Sequence, residues 1–329
     1  MAVALAVPLF GQATGRTVVP AQAETAAPAQ GTQQQSPPAE QQTDDTVATF
    51  KSEVKLVNVF ATVTDNNGAP IASLKKEDFK VLEDGVEQKL AVFDRESELP
   101  LSIVMALDTS LSTKKDLPLE LASARKFARS ILRPIDGLAL FQFNEIVDEI
   151  QHFTADMKRI ERAIARVKPG AATALYDAMY LGSQALIPRQ GRKVIVVITD
   201  GGDTASRVSY QEAVRATQIA ETIVYPIIMV PIAASAGRDL GGEHALIQIA
   251  KDTGGKHYYA TSIDQLDEAF KQISDELRTQ YLLAYYPSRL VARDFRKITI
   301  EVDKKAIEGA GLPEVRVRHR SGYYTSKLN

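Results

Sequence analysis

Residues 101–112 read LSIVMALDTSLS, an apolar run that changes abruptly into aspartate and hydroxyl side chains. A nearly continuous run of Val, Ile and Leu is typical of a strand that is buried on both faces of a parallel sheet. Three further runs of this kind occur at 138–143, 193–199 and 222–230. Segments with helical periodicity lie between these apolar runs and after the last of them. This alternation of strands and helices predicts an α/β fold with a doubly wound, mostly parallel sheet.

Six segments of this region carry the spacing of amphipathic helices. They lie at roughly 116–131, 156–167, 174–188, 209–220, 241–251 and 263–278. Two of these helices begin with recognisable cap segments, Thr154-Ala155-Asp156 and Ser262-Ile263-Asp264. We therefore assign residues 99–279 to one α/β domain.

Short strand signals flank this domain on both sides, within residues 50–98 and 280–325. The predicted strands are Val54–Thr64, Phe79–Leu82, Val86–Phe93, Gln280–Tyr286, Phe295–Val302 and Val315–His319. Neither flank has enough strands to close a core alone. We expect the two flanks to pair, so that the α/β domain is inserted in, or flanked by, a β-sandwich-like domain.

The first 49 residues differ in composition from the rest. A short apolar run from Ala2 to Phe10, followed by Ala21-Gln22-Ala23, predicts a signal peptide or its remnant over 1–23, although no basic residue precedes the run. Residues 24–49 are rich in Ala, Gln and Pro, which predicts a disordered linker. We expect an exported protein of the periplasm, cell envelope or extracellular space, without a membrane span in the mature chain. The alternative is a disordered tail on a cytoplasmic protein.

Composition argues against several classes of function. Lys and Arg number 39 against 41 Asp and Glu, so no overall basic field favours nucleic acid. The absence of Cys excludes disulfides, thiolate catalysis and Fe–S clusters. There is no phosphate-binding glycine loop and no nucleophile elbow. An aspartyl phosphotransferase would need a second Asp where Ser110 stands. We expect no enzymatic activity.

Five oxygen-bearing side chains occur where a predicted strand stops or a helix starts. They are Asp108, Ser110, Ser112, Thr173 and Asp200. In an open parallel sheet these points converge outside the carboxyl ends of the strands. Hydroxyl and carboxylate oxygens suit a hard divalent cation. Each residue also has an ordinary structural interpretation, because Asp commonly begins loops and Ser or Thr commonly caps helices.

The pattern Asp108-x-Ser110-x-Ser112, then Thr173, then Asp200 resembles the metal-ion-dependent adhesion site of von Willebrand factor type A domains. The order, the spacings and the flanking strands all match. FKVLEDG at 79–85 and RHRSGYY at 318–324 also resemble the bacterial VWFA-related family. The resemblance covers about residues 50–325.

The resemblance implies that these five residues bind Mg²⁺, or Ca²⁺ or Mn²⁺. The three hydroxyls would coordinate the ion directly, and the two carboxylates would hold bound waters. One coordination position would remain for a carboxylate from a partner protein. This implies adhesion-type binding in which no covalent bond is broken. Asp203 and Asp177 are accessory candidates: Asp203 as a loop carboxylate near the metal or partner, Asp177 as a hydrogen-bond partner of the loop.

Two other functions stay open. The protein could be an assembly scaffold of the cell envelope in which the cation only stabilises loops, or an intracellular partner subunit of an ATPase. One feature departs from the family pattern: Ala171 and Ala172 stand where Gly is usual. We expect their methyl groups to tighten or displace the loop that carries Thr173.

Overall fold

A computed structural model describes residues 56–95, 98–113, 116–230, 240–288, 294–303, 307 and 314–325. The predicted signal peptide and linker, over 1–23 and 24–49, lie outside the described residues. No helix among the described residues combines the length and the apolar character needed to cross a bilayer.

The described residues form fourteen strands and six α-helices. The strands are β1 (Val57–Thr64), β2 (Phe79–Glu83), β3 (Val86–Gln88), β4 (Leu90–Arg95), β5 (Leu101–Asp108), β6 (Gly137–Phe143), β7 (Val147–Thr154), β8 (Arg192–Thr199), β9 (Thr222–Met229), β10 (Tyr258–Ala260), β11 (Tyr281–Tyr285), β12 (Phe295–Val302), β13 (Arg316–His319) and β14 (Gly322–Tyr324). The helices are α1 (Leu117–Ile131), α2 (Met157–Ile164), α3 (Leu175–Leu186), α4 (Tyr210–Ile219), α5 (Leu240–Thr253) and α6 (Ile263–Thr279).

The central sheet has the strand order β10-β9-β8-β5-β6-β7. Its neighbours pair in parallel, except that β7 runs antiparallel to β6 at one edge. The four predicted apolar strands are confirmed as β5, β6, β8 and β9. Two strands of this sheet, β7 and β10, were not predicted from the sequence. The half-exposed residues of β7 show no clean apolar alternation, and β10 is only three residues long.

Helices cover both faces of this sheet. One face buries Ile103, Met105 and Leu107 of β5 against α1, α2 and α6. The other buries Val104 and Ala106 of the same strand against α3, α4 and α5. Because successive side chains of a strand point to opposite faces, the continuous apolar run in β5 supplies both cores. The predicted doubly wound α/β class is confirmed.

Two further four-stranded sheets combine strands from both ends of the chain. One has the order β13-β1-β11-β4 and the other β14-β12-β2-β3. The strand β1 pairs antiparallel with β11, and β2 pairs antiparallel with β12. Both sheets contribute to one core, in which Val59, Val81, Tyr281 and Ile300 are buried. The α/β fold is therefore flanked by a β-rich region, as the predicted fold class states.

The predicted single strand Val86–Phe93 is wrong. The chain leaves one sheet after β3, which pairs with β2, and enters the other as β4, which pairs with β11. The preceding turn agrees with the sequence: Asp84 and Gly85 have φ values of 48° and 80°, as a tight hairpin turn requires. A transfer between two sheets depends on tertiary packing, so a local strand pattern does not reveal it.

A buried polar network joins the α/β domain to the β-rich region. The carboxylate of Glu276 on α6 accepts hydrogen bonds from Tyr225 on β9 at 2.7 Å and from Arg318 on β13 at 2.6 Å. It also accepts one from Thr62 on β1 at 3.3 Å. One side chain thus links three strands that are far apart in sequence.

Candidate metal centre

The candidate site lies at the carboxyl ends of two neighbouring strands of the central sheet. Asp108 is the last residue of β5, and Asp200 directly follows β8, its parallel neighbour. On the other side of β5, the backbone N–H of Thr109 donates to the carbonyl of Phe143, the last residue of β6, at 2.8 Å. The sheet therefore brings two of the predicted residues, Asp108 and Asp200, to one edge.

Asp108 is fully buried and both of its carboxylate oxygens accept hydrogen bonds from the protein. The backbone N–H of Ser110 donates to Oδ1 at 2.9 Å, and Thr199 Oγ1 donates to Oδ2 at 2.6 Å. This arrangement suits a carboxylate that orients the metal ligands without binding the ion directly. Thr199 was not predicted from the sequence, where its only signal is its place immediately before Asp200.

The two serine hydroxyls connect Asp108's loop to Asp200. Ser110 Oγ lies 3.0 Å from Ser112 Oγ, and Ser112 Oγ donates to Asp200 Oδ1 at 3.0 Å. Neighbouring oxygen ligands of an octahedral Mg²⁺ ion, each about 2.1 Å from the metal, lie about 3.0 Å apart. The separation of the two serine oxygens therefore fits adjacent positions around one Mg²⁺ ion, with Asp200 hydrogen-bonded to Ser112.

Thr173 lies in the adjoining loop, between α2 and α3. Among the described residues, its side chain makes no hydrogen bond to the other four predicted ligands. The loop is nevertheless anchored to the site: Gly170 N donates to Thr109 O at 2.7 Å, and Ala174 N donates to Asn144 O at 2.6 Å. Four predicted ligands thus form one hydrogen-bonded cluster, and the fifth belongs to a loop attached to the same strand ends.

Backbone hydrogen bonds on both sides of Ala171 and Ala172 attach this loop to its neighbours. Ala171 is exposed and Ala172 is half-buried, and Ala171 N donates to Glu145 Oε2 at 2.8 Å. Close packing occurs one residue earlier, where a Cβ added to Gly170 would lie 2.4 Å from Asn144 Cβ. The glycine that this loop needs is therefore Gly170.

We expect Gly170→Ala to destabilise the protein and weaken metal binding. The new methyl group must displace Asn144 or the loop, a cost of about 1–3 kcal/mol for overpacking. Urea unfolding followed by circular dichroism measures the first effect, and Mg²⁺ titration measures the second. Ala171→Gly at the exposed neighbouring position is the control. Equal stability of Gly170→Ala and the wild type would contradict the packing argument.

Asp203 and Asp177 fix the loop after β8 to the start of α3. Asp203 Oδ1 accepts from Tyr176 N at 3.3 Å, and Asp203 also binds the Ser206 side chain. Asp177 Oδ1 accepts from the backbone N–H groups of Arg207 and Val208, each at 2.9 Å. Both side chains therefore position loops in this structure, which for Asp177 is the role that the sequence suggested.

Two acidic groups of the site, Asp108 and Asp200, have pKa values above their usual range. Burial is the main cause that raises the pKa of Asp108 to about 6, against the hydrogen bonds from Thr199 and Ser110, and the charge of Asp200 adds to it. Burial also raises the pKa of Asp200, partly offset by its hydrogen bond from Ser112. A divalent cation would stabilise both carboxylates in their charged form.

Glu120 is a third acidic group near the site, and it was not predicted from the sequence. Its side chain is buried, and burial together with the charges of Asp108, Asp116 and Asp200 raises its pKa to about 8. The sequence does indicate its burial, because the helical spacing places Glu120 between Leu117 and Ala124 on the apolar face of α1. A carboxyl group on that face is held uncharged at neutral pH.

We expect Glu120→Gln to stabilise the metal-free protein at alkaline pH. The pKa of Glu120 is near 4.5 in an unfolded chain and about 8 in the folded one, so its contribution to stability is full below about pH 4.5 and is lost as the pH rises to 8. The amide cannot ionise, so the variant should gain about 4 kcal/mol over the wild type near pH 8 and almost nothing near pH 4. Denaturation in chelator at both pH values measures this difference. A pH-independent difference would contradict the assignment.

The donor set fits a hard cation that is bound mainly through hydroxyls. In the described part of the chain, no three His, Cys, Asp or Glu side chains come together as a metal-binding group. Ser110 and Ser112 would bind the ion, and Asp108 and Asp200 would orient them and its waters. The ion would supply a Lewis-acidic position for an anionic oxygen.

Comparison with known proteins agrees with the fold. Residues 103–202 match the family model of the von Willebrand factor type A domain, a range that contains all five predicted ligands. No curated protein sequence shows significant similarity to the chain.

Several solved structures are similar to part of the chain. The PilB minor pilin from Streptococcus sanguinis has 14% identity and a TM-score of 0.45, over 55% of this chain and 62% of the pilin. The BatB protein from Bacteroides thetaiotaomicron has 21% identity and a TM-score of 0.42, over 54% of this chain and 100% of BatB. The SpaC pilus adhesin from Lactobacillus rhamnosus GG has 11% identity and a TM-score of 0.47, over 61% of this chain and 34% of SpaC. Over residues 103–202, which include β5 and β8 of the doubly wound sheet, the chain is similar to a von Willebrand factor type A domain.

Proposed function

We propose that this protein is a non-enzymatic binding module that captures an acidic residue of a partner protein through a bound divalent cation. The cation, Mg²⁺ or alternatively Ca²⁺ or Mn²⁺, would be bound by the hydroxyls of Ser110, Ser112 and Thr173. Asp108 and Asp200 would orient these hydroxyls and the waters on the ion. We further propose that the protein is exported and acts in the periplasm, at the cell envelope or outside the cell.

The observation that carries this proposal is the hydroxyl cluster at the carboxyl ends of β5 and β8. Ser110 Oγ and Ser112 Oγ lie 3.0 Å apart, as adjacent ligands of one ion would, and Ser112 Oγ donates a hydrogen bond to Asp200 Oδ1 at 3.0 Å. Neutral hydroxyls leave most of the ion's charge uncompensated. The ion would therefore favour an additional anionic ligand, and a carboxylate of another protein meets that need.

The scaffold alternative, in which the cation only clamps loops, has less support. Asp177 and Asp203 already join the loop after β8 to α3 through protein hydrogen bonds. Thr204 N adds a hydrogen bond to the Thr173 carbonyl at 2.8 Å. Since these contacts hold the loops together, a cation at the site is better used for binding a partner.

The test is capture of envelope proteins by the tagged protein in Mg²⁺ and in chelator, with Ser110→Ala beside the wild type. We expect a captured partner that is lost in chelator and lost with Ser110→Ala, while the melting temperature changes little. Replacing the partner's acidic residues one at a time should then identify the carboxylate. Capture that persists in chelator, together with a sharp fall in melting temperature, would favour the scaffold.

A further inference from the structure

A groove rich in cations lies at the opposite end of the central sheet from the candidate metal centre. It consists of two adjoining hollows of about 520 Å³ and 310 Å³ that share Lys256 and Arg318. Lys256 precedes β10, which is parallel to β9, so the groove lies towards the amino ends of the strands. The metal candidates Asp108 and Asp200 lie at the carboxyl ends.

Positive charge is concentrated around this groove. Lys251 and Lys297 line the larger hollow, Arg316 lines the smaller one, and Lys256 and Arg318 line both. We call these five residues the basic groove. Asp252 is the only carboxylate among the described residues that line the two hollows. The whole chain has a net charge of -2, so this excess of cations is local.

Most of these cations lack an acidic partner. Arg318 forms an ion pair with Glu276 at 2.6 Å. Within the described ranges, Lys251, Lys256, Lys297 and Arg316 make no ion pair. Burial, reinforced by the charge of Arg318 and partly offset by the charge of Glu276, holds the pKa of Lys256 below its usual range. An anion placed in the groove would therefore meet several cations that are not already neutralised.

The larger hollow also has apolar residues in its lining. Ile247 on α5, Ile298 on β12 and Val317 on β13 line it, and we call these three residues its apolar floor. A phosphate polymer or a purely charged chain could use the cations but would leave these apolar side chains unused. A polypeptide segment that mixes acidic and large apolar residues can use both.

We propose that the basic groove binds an acidic segment of a partner polypeptide, with Asp or Glu side chains on its cations and large apolar side chains on its floor. This site is independent of the candidate metal centre. The two sites would give the protein two separate points of contact, one dependent on a divalent cation and one dependent on ionic strength.

The test uses a fluorescent synthetic peptide in which Glu alternates with Leu, and the full-length protein in chelator. Lys251→Glu/Lys297→Glu reverses two exposed charges of the groove, and Lys158→Glu/Lys168→Glu makes the same charge change at exposed positions elsewhere. We expect the groove variant to lose about tenfold or more in affinity, because both attractive charges become repulsive, and the control to keep it. Raising NaCl from about 0.05 M to about 0.5 M should weaken wild-type binding. Circular dichroism checks that both variants are folded.

Three results would overturn the proposal. Equal affinity of the groove variant and the control would place the peptide elsewhere. Equal affinity for inorganic polyphosphate and for the peptide would show a general anion surface without a role for the apolar floor. Binding that requires Mg²⁺ and is lost with Ser110→Ala would assign the peptide to the metal centre.

Discussion

Asp108→Asn is expected to lower the affinity for Mg²⁺ by about tenfold to a hundredfold, the usual effect of losing a group that orients metal ligands. The native carboxylate accepts from Ser110 N at 2.9 Å and from Thr199 Oγ1 at 2.6 Å. An amide offers only one acceptor oxygen, so its NH₂ group must face one of these two donors. The variant also removes a negative charge from beside the ion. Isothermal titration with Mg²⁺ measures the loss.

The stability of the metal-free protein separates this effect from general damage. Burial raises the pKa of Asp108 to about 6, so the ionised group is unfavourable in the absence of a cation. We therefore expect Asp108→Asn to remain folded in chelator near neutral pH. Asp148→Asn, at an exposed position on β7, is the matched control. Mg²⁺ affinity that is unchanged in Asp108→Asn would refute the metal assignment.

The sequence predicted those parts of the fold and site that depend on local pattern. The apolar run of β5 and the Asp that ends it identify both a strand buried on two faces and the point where the chain leaves the sheet. Because parallel neighbours end at the same edge, the placement of Asp200 near Asp108 follows from strand order. The hydrogen bond between Ser112 and Asp200, 88 residues apart in sequence, bears this out.

The features that could not be predicted depend on tertiary contacts. Glu120 is buried because α1 turns that face towards the site, and its charged side chain would ordinarily be assigned to solvent. The close approach of Gly170 to Asn144 depends on how one loop crosses the end of β6. The division of 86–95 into β3 and β4 depends on the position of the second sheet. Only the place of Glu120 on the apolar face of α1 leaves a periodic signal in the local sequence, and the other two contacts leave none.

Glu276→Ala is expected to destabilise the α/β domain and the β-rich region together, by about 3–5 kcal/mol for a buried ion pair that loses one partner. The Glu276 side chain is only 5% exposed and that of Arg318 is 23% exposed. Removing the carboxylate leaves the Arg318 guanidinium poorly paired and takes the acceptor from the fully buried Tyr225 hydroxyl. The effect should fall at the lower end of that range, because Arg318 keeps some access to water.

The same variant tests whether the two parts unfold as one. Glu276 connects α6 and β9 of the α/β domain to β1 and β13 of the β-rich region. The chain has 11 Tyr and no Trp, so tyrosine fluorescence and far-ultraviolet circular dichroism can follow unfolding. Glu268→Ala, at an exposed position of the same helix, is the control. We expect a single transition that shifts to lower denaturant in Glu276→Ala and does not shift in the control. Two separate transitions, of which only one moves, would show that the α/β domain is stable without the flanking sheets and that Glu276 contributes to one part alone.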